Sequence, residues 1–153
     1  MSDYFEVVFS MFLSDATPSV VLDELRWHLG LRDAFVGDRE LTFGEDENWR
    51  VLEPQAGSRL PGGESGALVR QSLYTRPDGV DHCAWGVFSR RLWLDDEWAN
   101  YWWIVATWLA RYADRDGFAG FFRGESVERV TLFTISDGKP CLQEPGESPT
   151  PLQ

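Results

Sequence analysis

Four polar side chains on two predicted strands are the residues best suited to chemistry. Arg70 and Tyr74 lie four residues apart, so an extended chain places both on one face, whereas Arg90 and Arg91 are consecutive and point to opposite faces. If the two strands pair, Arg70 and Arg90 could lie near each other. A guanidinium group binds carboxylates and phosphates through paired hydrogen bonds. These four residues therefore either balance nearby carboxylates or hold an anionic ligand.

The two histidines and two cysteines show no spacing typical of a catalytic or metal site. His82 and Cys83 are strand neighbours that would point apart, and Cys141 is remote in sequence. His28 falls at the end of a predicted helix, where a cationic ring suits the negative helix end. The chain also lacks the GxSxG, GxxxxGK[ST], HExxH, CxxC and GxGxxG motifs. We therefore predict no catalytic residues, no cofactor and no metal, and we favour a non-enzymatic role.

A tryptophan-rich helix is predicted over residues 95–112, which read DDEWANYWWIVATWLARY. Its apolar side is too broad for one sheet to cover, so loop 54–66, the C-terminal tail or another chain must lie against it. Trp103 and Ile104 flank the narrow polar strip that contains Arg111, and we predict these three residues as a partner-binding site. Coverage by the chain's own loops, a homodimer seam and a ligand pocket are the alternatives. The uncharged stretch from Trp98 to Ala110 is shorter than the roughly twenty residues that span a bilayer.

The remaining patterns predict an α+β fold with a mainly antiparallel sheet and two helices on one face. A strand over residues 5–13 alternates in polarity, and a helix follows over 18–29 with Glu24 on its solvent side. Two short strands, 40–43 and 49–52, are expected to pair across the acidic loop GEDEN. Strands over 68–75, 82–92 and 129–135 complete the order β-α-β-β-β-β-α-β. The similar runs VFSMFL and VFSRRL, each leading into a helix, suggest duplicated ferredoxin-like halves.

We expect one domain over residues 1–136, with a flexible loop at 54–66 and a loose, proline-rich tail over 137–153. Both acidic runs, 45–47 and 95–97, are expected to be solvated charge, and the second also begins a helix. The first lacks the ligand order of a calcium loop.

The net charge of −11, from 25 acidic and 14 basic residues, disfavours nucleic-acid binding and would attract a basic partner. The first residues lack a basic segment before their apolar run, so a cytoplasmic location is expected. The leading hypothesis is a small interaction protein that binds a protein partner or a second copy. It resembles toxin-neutralising immunity proteins in size and charge only. The alternative is a small-molecule-binding or catalytic α+β barrel, formed when two sheets pack, with a pocket lined by tryptophan and arginine.

Overall fold

The alternating residues at the start of the chain form an inner strand of a six-stranded antiparallel sheet. In the computed structural model, residues 4–35, 37–43, 49–125 and 129–144 are described. Odd-numbered residues of the first strand, such as Phe9, face the core, and even-numbered residues face the opposite side. The elements, in chain order, are β1 (Tyr4–Ser14), α1 (Ser19–His28), β2 (Ser65–Thr75), β3 (Asp81–Leu94), α2 (Asp95–Arg111), β4 (Gly117–Gly124), β5 (Thr131–Ser136) and β6 (Lys139–Gln143).

The strand order is β2-β3-β1-β4-β5-β6, and every neighbouring pair is antiparallel. Its first part is ferredoxin-like, because β1-α1-β2 and β3-α2-β4 are two βαβ units whose strands interleave. The similar runs at 8–13 and 87–92 lie in β1 and β3, the strands that begin the two units. The predicted α+β fold, with an antiparallel sheet and both helices on one face, is confirmed.

The predicted order of elements is wrong in two places. Within the described residues no strand forms at 40–43 or 49–52, and residues 44–48 of the expected hairpin lie outside them. The segments on either side still contribute Leu41, Phe43, Val51 and Leu52 to the core. The apolar residues of these two segments are therefore buried although the segments form no strand. Short apolar runs predicted strands here, but the runs reflect burial and not strand pairing.

The other difference is the pair of strands β4 and β6, which the sequence analysis did not predict. In β4, Gly120 has a φ of 149° and lies at an irregularity in the pairing with β5, where a Cβ atom would overlap the carbonyl oxygen of Val8. β6 lies inside the segment assigned to the tail. It is joined to β5 by Asp137 and Gly138, both with positive φ, in the short Asp-Gly turn typical of hairpins.

The sheet ends in β2 on one side and β6 on the other. The pairing of β2 with β3 is interrupted by an irregularity between Ser72 and Tyr74. In β6, Pro140 pairs with Ile135 and has no N–H group to donate. The edge strand β2 is thus irregular, and the edge strand β6 lacks one hydrogen-bond donor.

Candidate functional site

Most aromatic residues of α2 belong to the core. The ring of Trp102 lies 5.3 Å from that of Phe133 and 6.3 Å from that of Phe9, and the ring of Trp98 stacks on Phe5 at 4.8 Å. Such contacts between buried rings stabilise a core beyond the area they bury. Packing therefore accounts for most of the tryptophans in this helix.

Trp103 and Ile104 are different, because they are 51% and 42% exposed. Asp96 and Asn100 precede Trp103 by seven and three residues, so the three share one strip of the helix. The Asn100 side chain donates to the Asp96 carbonyl at 2.9 Å. Arg111 follows Ile104 by seven residues and is also exposed. We call these five residues the α2 patch; it contains all three residues that the sequence analysis predicted as a partner-binding site.

A carboxylate from the loop after α1 holds the last turns of α2. The Glu40 side chain accepts hydrogen bonds from Trp108 Nε1 at 2.9 Å and from the Tyr112 hydroxyl at 2.7 Å. These two bonds, that of Tyr112 first, lower the pKa of Glu40. Burial, together with the carboxylate, raises the pKa of Tyr112. The loop after α1 therefore contacts the C-terminal end of the helix that carries the α2 patch.

The loop is itself fixed by a buried glutamate on α1. The Glu24 carboxylate accepts the backbone N–H groups of Glu40 and Leu41 at 2.6 and 2.9 Å, and it lies 3.0 Å from His28 Nε2. The expectation that Glu24 faces solvent is wrong, because these donors draw it inward, where it is fully buried. His28 lies at the helix end, as predicted, and is likewise buried. Their spacing of four residues was the available signal, since it places both on one side of the helix.

The strand arginines do not form one site. Arg70 pairs in register with Trp85 and Arg90 with Ser65, so the two arginines are far apart and lie on opposite faces of the sheet. The expectation that they lie near each other is therefore wrong, because the register of the hairpin separates them. Arg70 binds Asp15 through two hydrogen bonds of 2.8 and 3.0 Å, which lower the pKa of Asp15.

Arg90 and Arg91 point to opposite faces, as predicted, and each bonds a carboxylate. Arg91 is buried on the helix side, 3.0 Å from Glu64. On the other face, Glu6 accepts bonds of 2.7 Å from both Arg90 and Arg123. Burial raises the pKa of Glu6, but these two arginines outweigh it, so the pKa lies below its ordinary value. The contacts match the first alternative, in which the arginines balance carboxylates.

The last predicted ligand residue, Tyr74, lies at the far end of the sheet and stacks on the ring of His82 at 4.8 Å. His82 Nε2 lies 3.1 Å from both carboxylate oxygens of Asp114, in an open cleft of about 460 Å³ that Cys83 also lines. In this cleft the histidine ring lies against a carboxylate, and among the described residues no nucleophile is bonded to the ring.

Within the described ranges, the cysteines and the possible metal ligands form no site. Cys83 and Cys141 are both free thiols. In the part of the chain that the structure describes, no three potential ligands converge on a metal position.

A further surface, which the sequence analysis missed, is the side of the sheet opposite the helices. We call it the open face. Phe118, Val69 and Phe88 are 56%, 53% and 37% exposed there, around a groove of about 440 Å³. Gly86 lies in the groove, and a Cβ atom at this position would overlap the Gln71 side chain. The groove thus contains a glycine in the middle of a strand, a signal that the sequence contained.

Comparisons of the chain with protein-family models, curated proteins and solved structures find no match in any of the three. Over the described ranges neither helix combines the length and the apolar character needed to cross a membrane. A function for this chain is therefore inferred from the geometry of the α2 patch, the cleft at His82 and the open face.

Proposed function

We propose that this chain is a non-enzymatic interaction module that binds a basic protein partner through the α2 patch. The observation that carries this proposal is the exposure of Trp103, half of which is accessible on a helix whose other tryptophans pack inward. A large aromatic side chain on a rigid helix loses little conformational entropy when it enters a partner's pocket. It is therefore suited to be the anchor of an interface.

The charges around Trp103 favour a cationic partner. Asp96 is exposed on the same strip of the helix, and Asp95 and Glu97 flank it in the first turn. The chain as a whole has a net charge of −11. Such a field accelerates association with a basic protein and weakens as salt is added. Arg111, at the other end of the patch, is exposed and lies 3.9 Å from the Glu40 carboxylate, so its charge is partly balanced within the chain.

The second candidate function is small-molecule binding on the open face, since the described strands form one open sheet and not the two packed sheets of the expected α+β barrel. The groove on the open face favours it, because ligand sites commonly have volumes of about 300–1,000 Å³ and apolar walls. No tryptophan lines this groove or the cleft at His82. A ligand there would contact phenylalanine, and Arg90 and Arg91 would stay bound to Glu6 and Glu64.

Photo-cross-linking tests the α2 patch directly, whatever the identity of the partner. A benzophenone amino acid replaces Trp103 in cells that naturally contain the protein, and a matched control replaces Val20, which is equally exposed on α1. We expect one basic protein to cross-link from position 103 and not from position 20. Its binding to the purified chain is then measured by calorimetry at low and high salt.

In that assay Trp103→Ala is expected to weaken binding at least about tenfold, as an interface anchor does. Val20→Ala should leave the affinity unchanged, and added salt should lower the affinity of the unmodified chain. Equal affinity of the Trp103→Ala and unmodified chains would show that the α2 patch is not the binding site.

A further inference from the structure

The open face differs from the rest of the molecule in both polarity and charge. Helices cover the other side of the sheet, whereas within the described part of the chain no helix covers this one. We propose that the open face binds a second copy of this chain, sheet against sheet. This inference is independent of the α2 patch, which lies on the helical side.

The apolar residues of the open face are contiguous. Phe12 and Phe88 on the central strands, Val69 on β2 and Phe118 on β4 all line the same groove. Isolated exposed apolar residues are ordinary, but a continuous set around a concave surface is typical of a contact site. The polar members of the groove, such as Gln71, can form hydrogen bonds across an interface.

The charge distribution is compatible with a second copy as the partner, since this face lacks the excess of acids found in the chain as a whole. Among residues of β3, β1 and β4 that point to this face, Glu6 is the one acid, and Arg90 and Arg123 neutralise it. The groove rim adds one base, Arg115, and one acid, Asp116. With Lys139, which pairs with Ser136 on this face, these four bases and two acids have a net charge of +2 in a chain whose total is −11. Two acidic copies therefore repel each other least when they meet through their open faces.

The dimensions of the sheet set the size of this interface. The six strands have 5 to 14 residues each, and at about 4.8 Å between strands and about 3.3 Å per residue they cover about 900 Å², close to the about 800 Å² that each partner contributes to a standard interface. Loop residues occupy part of this area, since the Pro61 and Gly63 carbonyls accept hydrogen bonds from Arg90. The contact is thus no larger than standard, and we expect a dimer that dissociates on dilution.

Sedimentation velocity over roughly a hundredfold range of concentration, centred on the micromolar range, tests this inference. The unmodified chain is compared with Phe118→Glu and Val69→Glu, which place a charge on opposite sides of the groove, and with Val20→Glu on α1 as the matched control. Thermal melts followed by circular dichroism verify that each variant folds. Two groove variants are used so that a folding defect in one leaves the other informative.

We expect the unmodified chain and Val20→Glu to form dimers, and the folded groove variants to stay monomeric up to at least tenfold higher concentration. Added salt should strengthen the dimer, because it screens the repulsion between two acidic copies. A monomer at every concentration would overturn the inference. A dimer that Trp103→Asp dissociates and the groove variants do not would also overturn it, and would assign self-association to the α2 patch. If Trp103→Ala loses partner binding and the dimer stays intact, the result supports two separate surfaces, the α2 patch for the partner and the open face for the second copy.

Discussion

Replacing Glu24 by alanine should destabilise the fold more than any other single change to a polar side chain of α1. The substitution removes the acceptor of two backbone N–H groups, those of Glu40 and Leu41, and the partner of His28. Hydrogen bonds to a charged group contribute about 1.5–3 kcal/mol each, and breaking a buried set by removing one partner costs about 3–5 kcal/mol. We therefore expect the free energy of unfolding to fall by about 3–5 kcal/mol, a large part of the about 5–15 kcal/mol typical of a domain.

The assay is equilibrium unfolding in urea, followed by tryptophan fluorescence and circular dichroism. A lower midpoint with an unchanged slope reports a loss of stability without a change in the surface exposed on unfolding. Asp23→Ala is the matched control, because Asp23 is the preceding residue and forms partly exposed ion pairs with Arg26 and Arg32. It should cost less than about 1 kcal/mol. If Glu24→Ala also costs less than about 1 kcal/mol, the anchoring role of this carboxylate is refuted.

Three further outcomes follow from contacts described above. Gly120→Ala should cost at least about 2 kcal/mol in urea unfolding, because its Cβ overlaps the Val8 carbonyl, whereas Gly79→Ala, in open space, should cost less than that. The pKa of Glu6 is lower in the folded chain than its ordinary 4.5, so the unfolding free energy should fall as the pH drops below that value, and Glu6→Gln should reduce this decline. Trp103→Ala should change the unfolding free energy by less than about 1 kcal/mol, which a thermal melt would check.

Periodic patterns allowed much of the fold to be predicted from the sequence. The alternation in β1, the apolar stripe of α1 and the broad apolar side of α2 each specify one element and its buried side. The same helical geometry placed Trp103 away from the main apolar side, but it left open whether a loop of the chain covers this residue. These features depend only on neighbours in the chain, so local rules suffice for them.

Features that depend on distant parts of the chain were not predictable in this way. Glu24 is buried because backbone donors sixteen and seventeen residues later reach it. Arg70 and Arg90 are separated because a register, which no local pattern specifies, joins β2 to β3. The β5–β6 hairpin is an exception. Asp137 and Gly138 are a residue pair typical of hairpin turns, but the sequence analysis assigned them to the tail.

The irregular edges of the sheet limit how this chain can polymerise. An exposed, regular edge strand invites pairing with another molecule, and long stacks built this way are a route to fibres. The irregularity after Ser72 shortens the regular edge of β2, and the missing N–H group of Pro140 interrupts the hydrogen-bonding row of β6. Growth by strand addition is disfavoured at both ends. Association through a face closes after two copies, so these edges favour a finite assembly over a filament.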